Sequence, residues 1–272
     1  MAEQQLSVRR ACAAVTLSRA AYYRPVPARE QRDAAVIEAL NALVAEHTVW
    51  GFWKCFDALR YRGCLWNHKR VWRVYRAMKL NRPRRTKRRV PPRARQTMEV
   101  LAVPNVAWAL DFMSDALYQG RRFRVLNVLD EGTREALDIV IDTSIPSGRV
   151  VRVLEQLASW RGLPRAIRCD NGPEILSQVF VDWCREHRIE IRYIQPGKPN
   201  QNAFIERFNR TFREEVLDAW LFEDLHQVRR IAWRWMQSYN EERPHDALGR
   251  IPPSVFRERS EEPELSTSEL ST

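Results

Sequence analysis

The sequence has no run of about 18 apolar residues, which is the length that a membrane-crossing helix requires. Its N-terminus, MAEQQLSVRR, lacks the apolar stretch of a signal peptide. A protein that spans a membrane or is secreted is therefore not predicted. By default, these absences predict a soluble intracellular protein.

Cysteine is scarce, and the five cysteines contain no C-x-x-C motif. An odd number of cysteines without such a motif predicts reduced thiols in a reducing compartment. His47, Cys55, Cys64 and His68 could be read as zinc ligands, but their spacing fits no compact finger pattern. We therefore predict no structural zinc site.

Acidic residues are in deficit relative to basic ones. The 272 residues include 34 Asp and Glu against 45 Lys and Arg, which gives a net charge of +11 and a pI of about 9.9. Such an excess of positive charge predicts a polyanionic partner. With 44% apolar residues, a chain of this length is expected to form one or two domains.

The first part of the chain has helical patterns. Residues 1–30 are predicted to form an N-terminal helical segment, in which Ser18 caps the second of two short helices. This segment either packs on a larger unit or forms a small DNA-reading unit. Three further helices are predicted at about Arg32–Glu46, Phe52–Tyr61 and His68–Met78.

The last two of these helices flank a tight turn that contains Gly63, as in a helix-turn-helix. The final helix carries Lys69, Arg70 and Arg73 on a basic face that is backed by an apolar, aromatic-rich face. Such a helix is suited to the major groove of DNA. A three-helix bundle with a solvated basic face is the alternative. We favour an all-α helix-turn-helix DNA-binding domain over residues 31–81.

A strongly basic segment follows this domain. Residues 82–95 contain eight basic residues, three prolines and no acidic residue, so they cannot bury a core and remain extended. We predict that residues 82–100 form a linker that follows DNA phosphates, although a solvated tether would have the same composition. The predicted DNA contacts in it are Arg84, Arg85, Lys87, Arg88 and Arg89.

From about Asn105 the pattern changes to strands, first three in succession and then two that alternate with helices. The predicted strands are Val106–Met113, Arg122–Leu129, Ala136–Ile141, Arg165–Cys169 and Ile189–Ile194, with helices at Pro146–Arg161 and Pro173–His187. This order predicts an α/β fold, an RNase H-like mixed five-stranded sheet with flanking helices, over residues 101–257. Residues 258–272 are rich in Ser, Glu and Thr and are predicted to be a disordered tail.

The segment around Glu206 has helical spacing. Its apolar residues fall on one face, which is expected to enter the core: Ile205, Phe208, Phe212 and Val216. Glu206, Arg210 and Arg213 line up on a different face. There, the carboxylate is either part of a surface ion pair or a metal ligand beside groups that hold a phosphate backbone.

Two more acidic residues stand at informative positions. Asp111 interrupts an apolar strand, and Asp170 ends a strand at the kind of edge where ligands bind in open α/β sheets. A paired strand acid and a helix cap are the structural alternatives. If both converged with Glu206, the three carboxylates would repel one another unless a divalent cation such as Mg²⁺ were bound. Two such ions about 3.5–4 Å apart can hold both oxygens of an in-line phosphoryl displacement.

Three motifs carry a resemblance to a known family. LDFMSD around Asp111, CDNGPEI around Asp170 and PGKPNQNAFIERFNRTFREE around Glu206 resemble the catalytic signature of insertion-sequence transposases with a retroviral-integrase-like core. The sequence is most similar to the second-frame (OrfB-type) product of a frameshifting bacterial element. The 35 residues between Asp170 and Glu206 match that family's spacing, and Arg213 matches the basic residue seven positions after the catalytic glutamate. The resemblance extends over about residues 6–257.

This resemblance implies a DDE-type DNA transposase in which Asp111, Asp170 and Glu206 are the catalytic residues and hold two Mg²⁺ or Mn²⁺ ions. A metal-activated water would cut a phosphodiester at a transposon end, and the resulting 3′-hydroxyl would attack a second phosphodiester. Asn171, Lys198 and Arg213 would position DNA near the metals, and Arg210 lies on the same basic helix face.

The implied partners are double-stranded DNA, both terminal repeats and target, and further copies of the chain. A first-frame helix-turn-helix and leucine-zipper segment would act as a partner or fusion. The implied location is the bacterial cytoplasm, in association with the nucleoid. A catalytically silent DNA-binding regulator or relic of the same fold is the alternative, and a nuclease on RNA·DNA hybrids is a third and weaker hypothesis.

Overall fold

The computed structural model describes residues 7–23, 29–81, 102–195 and 202–261. Within these ranges, no helix is both long and apolar enough to cross a membrane. The chain divides into two compact units, one of Met1–Cys55 with Leu65–Arg82 and one of Phe56–Cys64 with Pro83–Thr272. The predicted DNA contacts between Arg84 and Arg89 lie outside the described residues.

Helices form the described part of the chain before residue 82. They are α1 (Val8–Ala14), α2 (Arg19–Tyr23), α3 (Arg29–Glu46), α4 (Phe52–Tyr61) and α5 (His68–Ala77). The predicted cap at Ser18 is present, because its Oγ accepts the N–H of Ala21 at 3.1 Å. Asn67 caps α5, since its Oδ1 accepts the N–H of Lys69 at 2.9 Å. In the smaller unit, α3 packs against α5.

A five-stranded sheet organises the larger unit. Its strands are β1 (Ala107–Ala116), β2 (Arg122–Asp130), β3 (Ala136–Asp142), β4 (Ala166–Cys169) and β5 (Glu190–Tyr193), in the spatial order β3-β2-β1-β4-β5. The first three strands are antiparallel neighbours, whereas β4 runs parallel to both β1 and β5. The predicted mixed sheet is thus confirmed.

Helices cover both faces of this sheet. They are α6 (Ser147–Arg161), α7 (Gln178–Glu186), α8 (Ala203–Phe212), α9 (Leu225–Glu241) and α10 (Pro253–Glu261). Because side chains alternate along a strand, Leu126 and Val128 pack with residues of α6 and α7, while Val125 and Leu129 pack with residues of α8 and α9. The two faces therefore form separate apolar layers, and the ends of the strands remain open between them.

Two predicted boundaries differ from the structure by four residues or more. The seventh helix begins at Gln178 rather than at Pro173, because Ile175 and Leu176 both donate to the carbonyl of Gly172 and close a turn there. Ser177 is the actual cap. The predicted tail is also too long: α10 continues through Glu261, supported by a 3.1 Å ion pair between Arg257 and Glu261 one turn later. Residues 262–272 lie outside the described part of the chain.

The helix that carries Glu206 changes its geometry at its C-terminal end. After Phe212, α8 continues as a π-helix over Arg213–Leu217. A π-helical turn is wider than an α-helical one, so the regular α-helical spacing ends at Arg213. Short π-helical segments occur frequently at functional sites.

Candidate active site

Asp111 lies in the middle of β1, directly opposite Asn127 of β2. Its side chain is on the sheet face that α8 covers, because its Oδ2 accepts a hydrogen bond from Asn209 Nδ2 at 2.6 Å. Its Oδ1 accepts the N–H of Phe112 at 2.9 Å. Both donors are neutral, so these two bonds do not cancel the negative charge of the carboxylate.

Asp170 follows directly after β4, and its Oδ1 accepts the N–H of Gly172 at 3.1 Å. The β1–β4 ladder pairs Ala109 with Arg168 and ends there, so Asp111 and Asp170 each stand two residues beyond the last paired position. Since the two strands are parallel, both acids lie beyond the carboxyl end of the β1–β4 ladder.

Glu206 lies in the first turn of α8 and is half-buried. The predicted inward face of this helix is confirmed, because its four apolar residues are at most 1% exposed: Ile205, Phe208, Phe212 and Val216. Burial of that face fixes the rotation of α8 about its axis. This rotation brings Glu206 close enough to Asp111 for their charges to interact.

The electrostatics of Asp111 show that the three acids are neighbours. Burial, and then the negative charges of Asp170 and Glu206, raise the pKa of Asp111 from an ordinary 3.8 to about 6, against the opposing hydrogen bonds from Phe112 and Asn209. However, among the described residues the three carboxylates do not all lie within 4.8 Å of one another. They form an open cluster rather than a closed ligand set.

Two asparagines that our sequence analysis did not single out support this cluster. Asn127 Nδ2 donates to Asn209 Oδ1 at 2.6 Å, and Asn209 in turn donates to Asp111. Asn127 is completely buried and Asn209 is 8% exposed, so both belong to the interior between the sheet and α8. Asn209 is three residues after Glu206, so the two side chains are neighbours on the helix. This spacing is the sequence signal that could have identified Asn209 as part of the site.

The predicted DNA contacts in the larger unit have different environments. Asn171 and Arg210 are exposed. Arg213, the first residue of the π-helix, donates to the carbonyl of Ser114 at 3.0 Å and to Asp115 Oδ2 at 3.1 Å. Its guanidinium thus connects the end of α8 to β1. Lys198 lies outside the described residues.

The predicted DNA contacts on α5 share a carboxylate. Arg70 Nε donates to Asp33 Oδ1 at 3.0 Å, and Arg73 Nη2 donates to Asp33 Oδ2 at 2.7 Å. Both arginine side chains stay partly exposed, at 37% and 48%, whereas that of Asp33 is 7% exposed. Lys69 is exposed. Asp33 of α3 therefore orients two guanidiniums on the basic face and neutralises one of their two charges.

Family models match most of the chain. Two models, both described as integrase core domain, match residues 102–199 and 187–253, and one described as HTH-like domain matches residues 30–89. The integrase-core matches include the three acids of the open cluster. The HTH-like match includes the basic face of α5.

Two relatives come from bacterial insertion elements. The uncharacterized 39.2 kDa protein of IS476 from Xanthomonas euvesicatoria is 42% identical over 254 residues, which cover 92% of this chain and 72% of that protein. The uncharacterized 31.7 kDa protein of IS407 from Burkholderia multivorans is 40% identical over 252 residues, which cover 92% of this chain and 90% of that protein.

Among solved structures, the chain is similar to a chain in the simian T-cell lymphotropic virus intasome in complex with PP2A regulatory subunit B56 gamma. The TM-score is 0.53 at 17% identity, over 84% of this chain and 76% of that chain. At this identity the likeness concerns the fold alone, and it agrees with the observed RNase H-like sheet order.

Proposed function

Since the chain belongs to the family of insertion-element transposases with an integrase core domain, we propose that it is a DDE-type DNA transposase that cuts transposon ends and transfers the 3′ ends to a target. Asp111, Asp170 and Glu206 are its proposed catalytic residues. The observation that carries this proposal is the arrangement of the three acids: Asp111 and Asp170 lie two residues beyond the last pair of the β1–β4 ladder, and Glu206 lies on the helix that covers Asp111.

The three carboxylates fit divalent cations. They lie near one another with uncompensated negative charge, and oxygen ligands of this kind are what Mg²⁺ prefers. We propose that these three carboxylates would hold two Mg²⁺ or Mn²⁺ ions. When bound, such ions neutralise the charge that develops on the attacking and leaving oxygens of an in-line displacement.

The protein's own contribution is to hold the carboxylates still. Asn209 occupies one lone pair of Asp111 Oδ2, and Asn127 fixes the Asn209 amide so that its nitrogen faces the carboxylate. Because α8 also carries Glu206, this hydrogen-bonded chain couples the orientation of Asp111 to the position of Glu206. The N–H of Phe112 fixes the second oxygen of Asp111.

DNA binding is assigned to the basic surfaces. We propose that residues 31–81 bind the terminal repeats through Lys69, Arg70 and Arg73, and that residues 82–100 follow the phosphates towards the core at 101–257. Asn171, Lys198, Arg210 and Arg213 would contact DNA beside the acids. The net charge of +11 supports such a partner. We further propose that several copies act together on DNA.

The proposal is tested by Mg²⁺-dependent cleavage of a labelled duplex that contains the element end. Wild-type protein is expected to cut it, whereas Asp111→Asn, Asp170→Asn and Glu206→Gln each abolish cleavage and leave DNA affinity unchanged. Asp182→Asn, an exposed acid on α7, is the matched control and should cut normally.

Two results would contradict this assignment. Normal cutting by any one of the three variants would remove that residue from the site. Wild-type protein that binds the element ends but never cuts them, with either Mg²⁺ or Mn²⁺, would instead identify a DNA-binding regulator or relic with this fold.

A further inference from the structure

The sheet brings Asp111 and Asp170 near each other but does not hold both equally. Asp111 is paired with Asn127 within β1, whereas the β1–β4 ladder ends at Ala109 and Arg168. Asp170 follows Cys169, the last residue of β4, and stands at the start of a loop that leads to α7. Contacts within this loop therefore help to fix the position of the Asp170 carboxylate.

The Asp170 loop is tightly closed around Gly172. A Cβ atom at Gly172 would lie 3.1 Å from Asp170 Oδ1 and 3.3 Å from Glu174 Oε2. Both carboxylates therefore approach the same glycine, whose own N–H donates to Asp170 Oδ1 at 3.1 Å. Ile175, which is completely buried, anchors the loop on the α7 side.

Glu174 is bound from the sheet by Arg124 of β2. Arg124 Nη1 donates to Glu174 Oε1, and this bond holds the pKa of the Glu174 carboxyl below its usual range. The side chains of Arg124 and Glu174 are 32% and 15% exposed, so water screens this ion pair less than a fully exposed one. The guanidinium also lies over the ring of Phe112, with its central carbon 4.4 Å from the ring centroid.

The Arg124–Glu174 ion pair is next to residues that contact Asp111 and Asp170. Phe112 is the residue whose N–H donates to Asp111, and Glu174 belongs to the loop that begins at Asp170. Arg124 lies on the sheet face opposite to Asn127, because side chains alternate along β2. Arg124 thus contacts Phe112, which follows Asp111, and Glu174, which belongs to the Asp170 loop. Both contacts lie on the sheet face opposite to α8.

We propose that Arg124 and Glu174 are positioning residues that hold the Asp170 loop at a fixed distance from Asp111, and so set the affinity of the acid cluster for divalent cations. This inference rests on the proposed function. Glu174 is not a fourth metal ligand in this account, because Arg124 already engages its carboxylate. Its effect passes through Gly172 to Asp170.

The test measures divalent-ion binding in the absence of turnover. Mg²⁺ is titrated by calorimetry into the full chain without DNA, using wild type, Glu174→Gln, Glu174→Ala and Arg124→Met. The half-saturating Mg²⁺ concentration for cleavage and the affinity for DNA in metal-free buffer are measured in parallel. Arg185→Met is the matched control, because Arg185 forms an exposed ion pair with Asp182 on the neighbouring α7.

A positioning role predicts a rank order. Glu174→Ala and Arg124→Met are expected to weaken Mg²⁺ binding about 10-fold or more, as removal of a group that orients metal ligands typically does. Glu174→Gln keeps an oxygen that accepts from Arg124 and is expected to have a smaller effect. DNA affinity in metal-free buffer and the thermal melting of Glu174→Gln should remain those of the wild type.

Each other outcome overturns a distinct statement. Equal losses in Glu174→Gln and Glu174→Ala would make Glu174 a direct ligand, and wild-type Mg²⁺ binding in all three variants would remove the positioning role. Reduced DNA affinity of Arg124→Met with normal Mg²⁺ binding would make Arg124 a DNA contact. If wild-type protein shows no Asp111-dependent Mg²⁺ binding, the metal site of the proposed function fails first, and the positioning role fails with it.

Discussion

Asp111→Asn is expected to stabilise the metal-free protein while it abolishes cleavage. In the folded chain, burial and the charges of Asp170 and Glu206 raise the pKa of Asp111 from 3.8 to about 6. This difference of about 2 units corresponds to roughly 3 kcal/mol of destabilisation of the ionised form. Asparagine removes the charge at nearly constant volume. The hydrogen bonds from Phe112 and Asn209 favour the ionised form, and their effect is already contained in this net shift.

The expected gain at pH 7.5 is therefore about 3 kcal/mol in the free energy of unfolding. Its pH dependence has a definite sign. Because the folded pKa of Asp111 lies above the unfolded value, the folded state binds the extra proton between about pH 4 and pH 6. Through this group, wild-type stability falls as pH rises across that window. The advantage of the variant is consequently full above about pH 6 and disappears near pH 4.

Equilibrium urea unfolding of the full chain with EDTA, at pH 7.5 and pH 4, measures this difference. Asp182→Asn, on the exposed side of α7, is the control for loss of one acidic charge. Added Mg²⁺ should stabilise the wild type but not Asp111→Asn. A variant that is no more stable than wild type at pH 7.5, or whose advantage persists at pH 4, would refute the reasoning.

Two further predictions concern other contacts. Asp33→Asn removes the carboxylate shared by Arg70 and Arg73 and should steepen the salt dependence of DNA binding by about one phosphate contact, as measured by fluorescence anisotropy at several salt concentrations. An unchanged slope, equal to that of a Glu38→Gln control on the same helix, would place α5 away from the phosphates. Gly172→Ala should lower kcat for cleavage about tenfold, because its Cβ would press on Asp170 and Glu174. Gly148→Ala, where the added carbon meets open space, should cut normally. Normal cutting by Gly172→Ala would contradict this prediction and show that the loop shifts without cost.

Most secondary-structure elements could be predicted from local pattern. The bounds of α4 agree with the prediction, and the four apolar residues of α8 and its π-helical continuation are buried as their spacing requires. The start of α7 was predicted too early because a proline at a helix start is a common signal, and here the carbonyl of Gly172 closes a separate turn first. The π-helix at Arg213 has no sequence signal that we used.

The sequence by itself determined which residues could carry the chemistry. Asp111, Asp170 and Glu206 are recognisable because a charged residue in an apolar strand, at a strand end or in a spaced motif is a local property of the chain. What only the tertiary structure decided is how these residues are held.

The side chains that orient the functional residues are distant from them along the chain. Asn209 contacts Asp111, Asp33 contacts Arg70 and Arg73, and Arg124 contacts Glu174. The register between strands and the packing of helices bring such partners together. These partners lie 37 to 98 residues away in sequence. The local pattern around a polar side chain does not identify a hydrogen-bond partner at such a separation.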